Sequence, residues 1–139
     1  MKRILFLLFA LTACANPKYA STESSSAGET FQPQISASFH GGNSVGLRWE
    51  SAPTEEDFGS FTFLISRNGT AVDPQALPSV VLWMPSMGHG SSPVTVERLG
   101  SGKFRATKVF FAMKGQWEIH IQMPGSTEGK DEAILPFTF

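Results

Sequence analysis

Apolar residues recur at every second position through most of this chain, and that period of two constrains the fold more than any other feature. Ile35, Ala37 and Phe39 alternate with Ser36, Ser38 and His40, and Gly41-Gly42-Asn43 then turns the chain. Val45, Leu47 and Trp49 alternate with Gly46, Arg48 and Glu50. Phe61, Phe63 and Ile65 give a third run, closed by the hairpin dipeptide Asn68-Gly69. Between Pro78-Ser79 and Pro85 the run Val80-Val81-Leu82-Trp83-Met84 is apolar throughout, which predicts a strand buried on both faces. Val94 to Leu99, Phe104 to Phe111, Gln116 to Met123 and Ile134 to Phe139 follow, separated by turns such as Gly100-Ser101-Gly102. No stretch of ten or more residues carries a period of 3.6. The expectation is an all-β antiparallel sandwich of about seven strands. It covers residues 35–139, with Trp49, Trp83 and Trp117 largely buried.

The chain has 139 residues, the length of one domain. With 41% hydrophobic and 17% charged residues, it can fill a core. Eleven Lys and Arg against 12 Asp and Glu give a formal net charge of −1. That balance excludes a phosphate-seeking surface, so no nucleic-acid partner is expected. A single cysteine excludes an intramolecular disulfide.

The N-terminus reads as a targeting segment. Lys2 and Arg3 precede the compact apolar run Ile4 to Leu11, too short to span a bilayer. The run ends in Leu11-Thr12-Ala13-Cys14, which resembles the lipobox of bacterial lipoproteins. The resemblance implies cleavage before Cys14 and lipidation of its sulfur and new amine. Residues 1–13 are then a signal peptide, and 14–34 are the lipidated cysteine and a flexible tether of small polar residues. Such a tether reaches roughly 25 Å. Cleavage removes two of the basic residues and no acidic one, leaving a mildly acidic domain without a free thiol. The expected location is the periplasmic face of the cell envelope, held to the membrane by lipid. Ala15 carries no acidic retention signal, which fits an outer-membrane destination.

Met84-Pro85-Ser86-Met87-Gly88-His89-Gly90 is the most unusual segment. Two thioethers and one imidazole lie within it, and proline and glycine favour a turn there. Thioether sulfur is a soft, neutral ligand suited to Cu(I) and unsuited to Mg²⁺, Ca²⁺ or Mn²⁺. Met113, before Lys114-Gly115, is a further sulfur donor within reach of such a loop. Met84, Met87, His89 and Met113 are therefore the candidate ligands, with copper as the candidate ion. The competing reading makes Met84 an inward-pointing core residue on the Val80 and Leu82 face.

Two stretches resemble the YtkA-like/FixH-like family. One is Val-Val-Leu-Trp-Met-Pro-Ser-Met-Gly-His-Gly, residues 80–90. The other runs from Gly102 through Met113, Gly115 and Trp117 to Ile121. The resemblance implies an immunoglobulin-like sandwich, related in shape to the CopC-type copper proteins. It also implies an exported or membrane-anchored protein, in a family with several members linked to copper delivery or oxidase assembly. FixH-type members usually carry a transmembrane helix, where this chain has a lipobox.

The remaining candidates read as structural. His120 alternates with Glu118 and Gln122 on the face opposite Trp117, which predicts a solvent-face histidine. His40 lies beside a glycine turn, and Glu55-Glu56-Asp57 lacks the spaced oxygens of a calcium loop. No nucleophile elbow, zincin motif or phosphate loop is present, so an enzyme is not expected. Two function classes follow. One is a copper-binding envelope lipoprotein; the other is a metal-free, immunoglobulin-like interaction module with a protein partner in the envelope. A monomer is expected.

Overall fold

The computed structural model describes residues 30–124 and 131–139. Residues 1–29, which include the expected signal peptide, Cys14 and most of the expected tether, lie outside the described residues. Ten strands are described, and they pair antiparallel in two sheets. The larger sheet contains β1 (Ile35–Ser38), β2 (Ser44–Ser51), β3 (Gly59–Arg67), β8 (Lys103–Val109) and β7 (Thr95–Gly100), in that order. The two-residue β4 (Thr70–Ala71) pairs with β3. The smaller sheet has the order β10 (Glu132–Thr138), β9 (Gln116–Gln122), β5 (Ser79–Met84) and β6 (His89–Gly90).

The all-β expectation holds, whereas the count of about seven strands was too low. The short β4 and β6 are created by hairpin turns whose strands are too brief to show a period. Asn68 and Gly69 both take positive φ, the twist a tight hairpin needs between β3 and β4. Gly102 takes φ +72 and leaves no room for a side chain, since a Cβ there would stand 2.7 Å from the Val72 carbonyl oxygen.

Both sheets turn one face inward. Val45, Leu47, Phe61, Phe63, Ile65, Phe104 and Ala106 of the larger sheet meet Val80, Leu82, Met84, Trp117, Ile119, Ile121 and Leu135 of the smaller one in a single buried cluster. Each large side chain so buried contributes ~1.5–3 kcal/mol. Among the described residues no buried side-chain nitrogen or oxygen lacks a hydrogen-bond partner. Phe31 to Gln34, in the stretch read as tether, lie against β2. The Gln34 amide donates to the Leu47 carbonyl at 2.8 Å, and the Trp49 amide donates to Gln34 Oε1 at 2.8 Å.

Two expectations are corrected. The Val80–Met84 strand is buried on one face only: Val80, Leu82 and Met84 point inward while Val81 is exposed. The reason is that the described residues form two layers, and among them no further layer packs over the outer face of β5. Of the three tryptophans only Trp117 is fully buried. Trp83 points outward on β5, and Trp49 sits half-buried at a bulge in β2, against Phe61 and Phe137.

Candidate metal centre

The hairpin between β5 and β6 is built by its own residues. The Met84 carbonyl accepts from the Met87 amide at 3.2 Å and the Gly88 amide at 3.0 Å. Pro85 supplies the fixed φ favoured at the second turn position, and Gly88 takes φ +65 without steric cost. The turn makes Met84 and His89 direct cross-strand partners. Opposed residues in an antiparallel pair share a face, with Cβ atoms ~4.5–5.5 Å apart.

That face is the inner one. Met84 is 3% exposed. The His89 ring meets buried Trp117 edge-on, with centroids 6.0 Å apart. His89 Nδ1 is 3.0 Å from the Gly90 carbonyl oxygen. A carbonyl only accepts, so Nδ1 is the donor, and in the neutral ring Nε2 keeps its lone pair. This is the arrangement that fixes a metal-binding imidazole's tautomer.

Trp117 also ties the third side of the corner. Its Nε1 donates to the Met113 carbonyl at 2.9 Å. Between them Gly115 exchanges backbone hydrogen bonds with Phe139, at 2.9 and 3.0 Å, and Phe111 packs on Trp117, Phe137 and Phe139. The loop before Met113 is held to the hairpin by Ser91, whose hydroxyl donates to the Phe110 carbonyl. Lys114 pairs with Glu55 at 2.6 Å, which holds the Glu55 carboxyl below its ordinary value and raises Lys114. Both are exposed, so the pair contributes little to stability.

Of the four predicted ligands, the structure thus brings Met84 and His89 together on one face. It ties the backbone of Met113 to the same corner through Trp117. Met113 is 41% exposed, and Met87, at the tip of the turn, is 59% exposed. His40 is exposed in its turn. His120 points away from the corner, on the outer face of β9, between Glu118 and Glu132. Among the described residues no three of His, Cys, Asp and Glu group to hold a metal ion. Soft thioether donors are what this corner offers.

The role of Trp117 in lining the His89 ring, and of Gly115 beside Met84, went beyond the core-packing role assigned to the tryptophan. Their signal lay in the short run Met113-Lys114-Gly115-Gln116-Trp117, where a glycine two residues before a buried tryptophan marks a close approach. The YtkA-like family model matches residues 46–122, from β2 through β9 and more than half of the chain. The chain belongs to the YtkA-like family. The matched region includes the whole β5–β6 hairpin and the Met113–Trp117 run. Comparison with curated proteins and with solved structures gives no significant match.

Proposed function

We propose that this YtkA-like protein is an envelope-anchored lipoprotein that binds copper as Cu(I) through its Met/His corner and carries or delivers the ion. The observation that supports it most is the pairing of Met84 with His89 on one inner face against Trp117. A thioether and a neutral imidazole are soft to borderline, uncharged donors, and they favour the singly charged ion. Exposed Met87 and Met113 flank that pair and offer the further sulfur. The turn carries no carboxylate, so Zn²⁺ should bind weakly. Family membership is consistent with this reading, because YtkA-like domains resemble the CopC-type copper proteins in shape. The basic–apolar–Cys14 order supports the lipid anchor.

A competitive Cu(I) titration of the detergent-solubilised full chain tests the reading. Wild type should bind at least tenfold tighter than Met87→Ile or His89→Ala, and the double variant should lose the site. Binding no tighter in wild type than in the double variant would leave the corner as packing. The metal-free interaction module, to which the exposed Met87, Met113 and Phe58 would lend an apolar contact surface, would then stand.

A further inference from the structure

The Met/His corner divides its methionines sharply by exposure. Met84 is 3% exposed, and its methyl carbon comes so near Gly115 that a Cβ there would stand 2.5 Å away. Met123, at the end of β9, is partly buried against the core. Met87 is 59% exposed at the tip of the β5–β6 turn, and Met113 is 41% exposed in the loop before β9. A thioether sulfur carries a lone pair that an electrophilic oxygen can take up, and its oxidation follows its access to solvent.

Both exposed side chains hang from backbone that is already engaged. The Met87 amide donates to the Met84 carbonyl at 3.2 Å, and the Met113 carbonyl accepts from Trp117 Nε1 at 2.9 Å. Neither side chain belongs to the buried cluster. Oxidising them therefore changes their chemistry while the turn, the Trp117 bond and the core stay in place. Oxidising Met84 would instead put a polar sulfur–oxygen group into the core, beside a glycine that leaves it no room.

We propose that Met87 and Met113 are oxidation-sensitive donors through which a peroxide switches off Cu(I) binding at this corner. The proposal rests on the copper reading above. In each step a sulfur lone pair attacks one oxygen of hydrogen peroxide, and the O–O bond breaks. The sulfur keeps that oxygen as a sulfoxide and gives up two electrons. The departing hydroxide takes the proton of the transferred oxygen and leaves as water. The sulfoxide presents a hard, dipolar oxygen where Cu(I) favours soft sulfur. Met84 and His89 are then left without the further sulfur donor. Stereospecific sulfoxide reductases reverse the change, which makes it a switch.

The test treats the metal-free, detergent-solubilised full chain with graded hydrogen peroxide, removes the peroxide with catalase, and maps each methionine by peptide mass spectrometry. Met87 and Met113 should oxidise at least tenfold faster than Met84, with the far-UV spectrum unchanged. Cu(I) affinity should then fall at least tenfold, and the two reductases together should restore it. In Met87→Ile with Met113→Ile, the weaker residual affinity should no longer respond to peroxide. Oxidation of Met84 as fast as Met87 overturns the proposal. So does an oxidised chain that binds Cu(I) as tightly as the untreated one, or a far-UV change that assigns the loss to unfolding. Untreated wild type that fails to bind Cu(I) overturns the copper reading itself, and the switch falls with it even where the mass map shows selective oxidation.

Discussion

Gly115 decides how close β9 and the hairpin can come. It takes φ +142, and a Cβ on it would stand 2.5 Å from the Met84 methyl carbon. Gly115→Ala must therefore displace the thioether or break the backbone pairing with Phe139. A stability loss of ~1–3 kcal/mol is expected on chemical denaturation. Met84→Leu separates packing from ligation. It conserves volume, so stability should change by less than ~1.5 kcal/mol, while the sulfur is lost and Cu(I) affinity should fall. Unchanged affinity in Met84→Leu would remove Met84 from the ligand set. The inward turn of Met84 was legible, because it continues the Val80 and Leu82 alternation. Its neighbour across the fold was not, since Gly115 is 31 positions away and carries no side chain to form a pattern.

Glu50 gives the residue scale a pH dependence. The Thr62 hydroxyl, which donates to it, is the main reason its carboxyl sits below the ordinary 4.5. Burial opposes this, and Arg105, 2.9 Å away, adds to the lowering. The folded state then binds fewer protons than the unfolded one as pH falls below that value. Its stabilisation is fully present above pH 4.5 and is lost as pH falls through the lower folded value. Glu50→Gln should therefore flatten the acid limb of the stability–pH curve, measured by denaturant midpoints from pH 5 to pH 2.5. Parallel curves for the two proteins would show that Glu50 does not carry this dependence.

At the scale of the element, β8 shows what alternation can and cannot predict. Phe104 and Ala106 point inward, yet so do Val109 and Phe111, three and five positions after Ala106. The parity changes because β8 carries one extra residue opposite β3: Gly59 pairs with Val109, but Phe61 pairs with Ala106. Lys108 takes φ +60 to absorb it. A bulge of this kind usually announces itself by a glycine. With lysine there, the run from Phe104 to Phe111 read as one regular strand. The same limit applies to β5, whose five apolar residues hide a single buried face because period two is masked wherever both faces are apolar. Lys108 is exposed, so its side chain contributes little packing. Lys108→Gly should relieve the left-handed backbone and raise stability by ~0.5–1 kcal/mol, or a few degrees in Tm. Lys108→Val, β-branched, should lower it. A thermal melt in which glycine is no better than lysine at this position would show the bulge to be unstrained.

At the scale of the molecule, the two sheets separate the ways in which this protein can be addressed. The described chain enters over the outer face of the larger sheet, where Arg48 and Lys103 lie 5.6 and 5.9 Å from the Phe31 ring. The Met84 corner lies between the layers at the loop end, and His120 lies on the outer face of the smaller sheet. A lipid anchor upstream of Phe31, if present, would therefore join the chain on the side of the larger sheet, away from the Met84 corner. Under the proposed reading the anchor is Cys14, and several acyl chains at ~0.8 kcal/mol per buried CH₂ would hold the protein stably in a bilayer. Cys14→Ser should move the protein from the detergent phase to the aqueous phase on temperature-induced partitioning. It should leave Cu(I) affinity within about twofold and the far-UV spectrum unchanged, because the described core and the Met84 corner are built from residues 31–139. Equal partitioning of wild type and variant into the aqueous phase would remove the anchor. A large change in copper affinity would mean that the N-terminal segment reaches the Met84 corner after all.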